Sequence, residues 1–178
     1  MAVSNRVRGL VWALMIVLGY LAGLALNGAL GLRCPALPCI ALGAVLLVVI
    51  LRAAAVTGRY LAVYGKTRGG GFGDLDRLVT EGPYSCMRHP MHLFLSLFPV
   101  AVGLLTANPG MALIVGPLEA AAVLVMAVTV DEAESLERFG EAYEEYRRRV
   151  PAFNPSPRCL WKALARRPPR GARAARRA

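Results

Sequence analysis

The chain has 178 residues, 56% of them hydrophobic, and its 21 basic and 11 acidic residues give a net charge of +10. Soluble domains hold roughly 45–50% apolar residues, so this composition, with a mean hydropathy of +0.48, excludes an ordinary water-soluble globule. Four cysteines and two histidines, in no CxxC or HExxH spacing, exclude a zinc site.

Four apolar runs predict an all-α integral membrane protein of one domain over residues 1–157, with spans at about 9–32, 36–57, 90–107 and 110–130. None of these runs shows the polar face that a soluble core helix would carry. Arg6 and Arg8 before the first run resemble the start of a signal peptide, but the run is too long for one and three more follow. Basic residues favour cytoplasmic loops. Arg6 and Arg8 precede the first span, and Arg59, Lys66, Arg68, Arg77 and Arg88 follow the second, so both termini are expected in the cytoplasm.

The external loop Cys34-Pro35-Ala36-Leu37-Pro38-Cys39 is short enough for a local disulfide on an oxidising side. Cys86 and Cys159, placed on the cytoplasmic side, are expected to be free thiols. The connection from Gly58 to Pro83 contains Gly69-Gly70-Gly71-Phe72-Gly73. A phosphate-binding loop would need a strand before it and a helix after it; here a span precedes it, and a flexible linker is expected.

Gly82-Pro83-Tyr84 predicts a turn, and Pro90 suits the first position of the third span, which places Arg88 and His89 at the membrane boundary. Taken alone, such a pair reads as a snorkelling arginine and an interfacial histidine. The hairpin of the last two spans, turning at Asn108-Pro109-Gly110, returns the chain to the same level at Asp131-Glu132. Within the fourth span, Glu119 either faces an acceptor tunnel or is protonated inside the bundle.

From residue 131 to 150 an amphipathic cytoplasmic helix is expected, with Glu132, Leu136, Phe139, Tyr143, Tyr146 and Val150 on one face. A carboxylate on a buried face needs a partner. From Arg147 onward every charged residue is basic. Residues 158–178 are expected to be a disordered tail held against anionic lipid, each cation contributing about 1 kcal/mol near the surface. With Trp161 as its one aromatic, this tail offers no stacking platform for nucleic acid.

Gly82-Pro83-Tyr84, Arg88-His89-Pro90, Asp131-Glu132, Phe139-Gly140, Tyr143, Tyr146 and Val150-Pro151 together resemble the integral membrane methyltransferases that include isoprenylcysteine carboxyl methyltransferase and the phospholipid methyltransferases. The resemblance covers about residues 78–155. It implies that S-adenosyl-L-methionine is enclosed at the cytoplasmic ends of the helices and that a lipid or other lipophilic small molecule enters as methyl acceptor from the bilayer. By position, Tyr84, Arg88, His89 and Pro90 would form the cofactor wall. Glu132 would hold the cofactor's cationic end, and Asp131 stands where the family has a first glutamate. His92 replaces the usual tyrosine and Phe94 the usual glycine.

Methyl transfer from a sulfonium disperses charge, so positioning and exclusion of water are the main demands on the protein. A carboxylate acceptor needs no base, whereas an amine or thiol must lose a proton, for which His89 and His92 are the candidates, with Arg88 beside them. Two other readings remain open at this point. NADPH-dependent membrane sterol or enone reductases share an Arg-His-Pro segment but continue with Asn-Tyr, where this chain has Met91-His92-Leu93-Phe94. A non-enzymatic membrane scaffold would leave the spacing of the polar residues unexplained.

Overall fold

The computed structural model describes residues 5–66 and 75–165, which are helical apart from turns and short extended segments. The glycine-rich stretch 69–73 and the tail beyond Ala165 lie outside the described residues. Helices α1 (Asn5–Leu30) and α2 (Ala36–Tyr64) are long and apolar. Helix α1 stops at Gly31, whose φ of 63° suits glycine, and Leu32 N–H closes the end by donating to Asn27 O. Two short helices follow, α3 (Pro90–Leu95) and α4 (Phe98–Leu105). Helix α5 (Gly116–Met126) is flanked by wider π-type turns at Met111–Val115 and Ala127–Asp131, and α6 (Glu132–Phe139) continues from the second. Helices α7 (Glu141–Arg149) and α8 (Pro157–Ala165) complete the order.

Among the described residues, three helices are long and apolar enough to cross a membrane: Val7–Leu30, Ala36–Tyr64 and Met111–Phe139. The expected third span is instead a shorter apolar stretch, Pro90–Leu105, interrupted at Ser96-Leu97. Pro99 is the physical reason, because its ring clashes with the carbonyl four residues back and it has no N–H to donate. Leu10, Leu14, Leu18 and Leu21 are all more than half exposed on α1, an apolar surface of the kind that lipid covers.

The fold differs from the sequence expectations at four further places. The amphipathic stretch 131–150 is two helices separated by Gly140, whose φ is 53°. Leu136, expected on its inner face, is exposed, and Ser135 is the more buried of the two. Residues 158–165, expected to begin the disordered tail, lie in α8. Cys86 and Cys159, expected as free thiols, form a disulfide with Cα atoms 5.7 Å apart, because α8 packs on the turn at Gly82–Ser85. Cys34 and Cys39 are also paired.

The described residues form two compact units, one of residues up to Leu51 with Phe94–Met126, the other of Arg52–Leu93 with Ala127 onward. In the first, Asn108 is fully buried and caps the helix that begins at Pro109. Its Oδ1 accepts from Met111 N–H and from Asn27 Nδ2, and its Nδ2 donates to Tyr20 O. Small residues let backbones meet here. A Cβ on Gly23 would stand 2.5 Å from the Met111 nitrogen, and one on Gly103 2.5 Å from the Ala112 nitrogen. Glu119 is buried in the same unit, where Gly19 leaves room for its carboxyl group, and its Oε2 has no hydrogen-bond partner.

In the second unit, Val56 and Tyr60 of α2 pack with Val79 and Tyr84. Gly82 has a φ of 61°, and a Cβ there would strike the Tyr60 ring, so glycine is required twice over. Arg52 Nε donates to Leu164 O at 2.9 Å and thereby holds the end of α8.

Gly23→Ala and Gly103→Ala are each expected to lower the thermal midpoint of the purified protein, with overpacking costing about 1–3 kcal/mol. Gly28→Ala, where nothing lies within 4 Å, should leave the midpoint unchanged or raise it.

Candidate functional site

The second unit brings Arg88, His89, His92, Asp131 and Glu132 together. Arg88 and His89 lie between the Gly82–Ser85 turn and α3, in a segment without regular structure. Their backbones are fixed by the chain that follows α7, with Arg88 N–H donating to Pro151 O at 2.9 Å and His89 N–H to Ala152 O at 3.1 Å. The Phe153 ring packs 5.9 Å from the His89 ring. Tyr146 Oη, from α7, donates to Tyr84 O at 2.6 Å and fastens the preceding turn.

Glu132 is at the centre of the charged cluster. Its Oε1 accepts from Arg88 Nη2 at 2.5 Å and Nε at 3.0 Å, and stands 3.2 Å from His89 Nε2. Arg147 Nε lies 3.6 Å from its other oxygen. Arg88 Nη1 donates to Arg147 O at 3.2 Å and also to Val150 O. The Arg88 and Glu132 side chains are only 10% and 7% exposed, so each charge depends on the other. The cation, imidazole and carboxylate that the sequence would set around one ligand are thus bound chiefly to each other.

A cavity of about 670 Å³, counting its open part, lies beside this cluster. Leu61, Leu75, Leu78, Val79, Met91 and Phe139 form its apolar wall. Arg77, Arg88, His89, His92, Asp131 and Ser135 line it with polar groups, together with Tyr84, Tyr143 and Tyr146. Pro90 and Glu132 are buried behind this wall and do not line the cavity. Asp131 does line it, and its Oδ2 is 3.0 Å from His92 Nε2. The ring centroids of His89 and His92 are 5.7 Å apart, edge to face.

Burial lowers the pKa of His89, and the neighbouring His92 lowers it further, against the opposite pull of Glu132 and Asp131. His89 is therefore held neutral, with Nε2–H directed at Glu132 the assignment that satisfies both groups. Burial raises the hydroxyl pKa values of Tyr84, Tyr143 and Tyr146, so these groups act as neutral hydrogen-bonding partners. The Tyr143 hydroxyl is buried and makes no well-aligned hydrogen bond, although the Arg88 and Ser135 side chains face it. A buried polar group of this kind is costly unless a ligand satisfies it.

Every residue chosen from the sequence except Pro90 and Glu132 reaches the cavity wall. Tyr143 was legible as part of a helix face, but its orphaned hydroxyl was not. The pairing of residues 88–89 with 151–152 carries no local sequence signal.

Glu132→Ala is expected to cost about 3–5 kcal/mol, read as a loss of thermal midpoint, because it strands the Arg88 charge in a buried position. Lowering the pH from 7.5 should also destabilise the protein. Below the ordinary histidine value of 6.5 the unfolded chain binds a proton that folded His89 resists, so stability falls from there down to the depressed value. His89→Gln should flatten that part of the profile of midpoint against pH.

Comparison with known proteins identifies a family. The family model for phospholipid methyltransferases matches residues 33–142, more than half of the chain and a stretch that includes Tyr84, Arg88, His89, His92, Asp131 and Glu132. The nickel-cobalt-cadmium resistance protein NccN of Alcaligenes xylosoxydans xylosoxydans is 37% identical over 78 residues, which are 44% of this chain and 36% of that protein. The match therefore spans little more than a third of the relative's length. No solved structure matches the chain. On the extent of the family match, the chain belongs to the phospholipid methyltransferase family.

Proposed function

We propose that this protein transfers a methyl group from S-adenosyl-L-methionine to a lipophilic acceptor at the cytoplasmic face of the membrane. The observation that carries the reading is the cavity in the second unit, apolar over much of its wall and polar where Arg88, His89, His92, Asp131 and Tyr143 meet. Family membership supports the same chemistry.

The donor set fits such a cofactor. The Tyr143 hydroxyl makes no well-aligned hydrogen bond within the protein, and it faces Arg88, four of whose five N–H groups are engaged elsewhere, so the two form a polar corner that a ligand would meet. Asp131 supplies negative charge at the wall, where a cationic ligand would be favoured. When bound, the cofactor supplies an electrophilic methyl group on a cationic sulfur.

In this reading each group of residues has its own role. Tyr84, Arg88, His89 and Tyr143 hold and orient the cofactor. Glu132 and Pro90 keep that wall in position from behind. Leu61, Leu78, Val79, Met91 and Phe139 exclude water, which favours transfer to the acceptor over side reactions. The three long apolar helices and the basic residues around them support a lipid-facing enzyme with cytoplasmic termini and anionic lipid as a neighbour. Metal resistance stays with the relative that bears the name; among the described residues no three His, Cys, Asp or Glu side chains gather to take a metal ion.

S-Adenosylhomocysteine should raise the thermal midpoint of the purified protein, by the equivalent of about 2.7 kcal/mol at a hundred times its Kd. NADPH should not. Tyr143→Phe removes a hydroxyl that makes no well-aligned hydrogen bond, so it should change the stability of the free protein by less than about 1 kcal/mol while weakening S-adenosylhomocysteine binding about 3- to 10-fold. Stabilisation by NADPH alone would reject the methyltransferase reading.

A further inference from the structure

The two histidines on the cavity wall differ in what they are free to do. His89 is 7% exposed, its Nε2 is directed to Glu132, and its burial disfavours a positive charge. The His92 side chain is 30% exposed, lies in the first turn of α3 and has Nε2 3.0 Å from Asp131 Oδ2, a charge contact that is not aligned as a hydrogen bond in the free protein. Both partners line the cavity, and they come from segments separated by the whole apolar hairpin.

We propose that His92, oriented by Asp131, is the general base of the reaction, and that the atom methylated is a nitrogen or sulfur that gives up a proton rather than a carboxylate oxygen. This rests on the methyl-transfer reading above. Nε2 is the ring nitrogen nearer the Asp131 carboxylate, so in this proposal it carries the proton, Asp131 aligns with it in the loaded site, and Nδ1 keeps the lone pair. The acceptor heteroatom forms its bond to the methyl carbon as the carbon–sulfur bond breaks, and that electron pair remains on sulfur. The proton from the acceptor passes to His92 Nδ1 and from there to water. The resulting imidazolium lies beside the Asp131 carboxylate, the arrangement by which a buried acid holds a catalytic imidazole in one orientation. A carboxylate acceptor has no proton to lose, and Asp131 would repel it from this wall. The charged and titratable groups around His92 are Asp131 and His89, with Arg77, Arg88 and Tyr143 elsewhere on the wall and Glu132 behind it.

The test uses the full chain in nanodiscs of phosphatidylcholine and phosphatidylglycerol, which contain no amine or thiol. Decylamine, decanethiol and decanoate are offered with methyl-labelled S-adenosylmethionine. Label is expected in the amine or the thiol and absent from decanoate. His92→Ala should reduce the rate 100-fold or more, keep S-adenosylhomocysteine affinity within about threefold, and recover part of its rate when imidazole is added to the buffer. As a positioning residue, Asp131 has its own readout without substrate: ring ¹⁵N shifts should show a single Nε2–H tautomer of neutral His92, and Asp131→Asn should abolish that preference. Label in decanoate, an undiminished rate in His92→Ala, or a tautomer indifferent to Asp131→Asn overturns the inference. So does label in none of the three acceptors when S-adenosylhomocysteine binds. If the wild type binds no S-adenosylhomocysteine, the methyl-transfer reading itself fails, and this inference falls with it.

Discussion

A guanidinium and a carboxylate that share a site sealed from water must find partners for all their hydrogen-bonding capacity, and the organisation of the second unit follows from that demand. Arg88 and Glu132 neutralise each other, but the guanidinium still requires acceptors for its outer nitrogen. It finds them in the carbonyls of Arg147 and Val150. These belong to the final turn and the end of α7, where carbonyl groups have no partner within the helix. The next residues pair with the Arg88 and His89 backbones, so the chain after α7 completes the wall. One ion pair thereby joins the segment before α3, the start of α6 and the end of α7.

This division of labour separates two acids that are adjacent in sequence. Glu132 is enclosed by Arg88, His89 and Arg147 and maintains the shape of the site, whereas Asp131 meets the cavity. The separation suits a reaction that asks mainly for alignment. A loose charged group on the wall would draw in water, and burial of the main ion pair leaves the apolar side chains to define the space around the reacting atoms.

The spans were largely legible because hydropathy follows directly from composition, and the break at Pro99 follows from a residue that cannot continue a helix. The buried face of the segment after the fourth span was legible at Glu132, Tyr143 and Tyr146, whose spacing is helical. Leu136 was misread because apolar character was taken as a sign of burial, while the position actually turned inward is held by Ser135. Gly140 stood in the sequence as part of a motif, yet its positive φ makes it the point where one helix stops and another starts. The link between Cys86 and Cys159 spans 73 residues and depends on the docking of α8, which no local pattern encodes. The partners of Arg88 were hidden for a related reason, since two of them are backbone carbonyls and carry no side-chain signature.

The wide turn at Ala127–Asp131 acquires a meaning from where it falls. Successive residues on a helix point about 100° apart, so the helix can aim Asp131 at the cavity and Glu132 at Arg88 only in one rotational phase. A π-type turn accommodates one more residue than an α-turn would, and this one sits immediately before the two acids. It sets the phase: straightening it would swing both carboxylates around the axis together, so that neither kept the direction it now has, although no side chain in the site had changed.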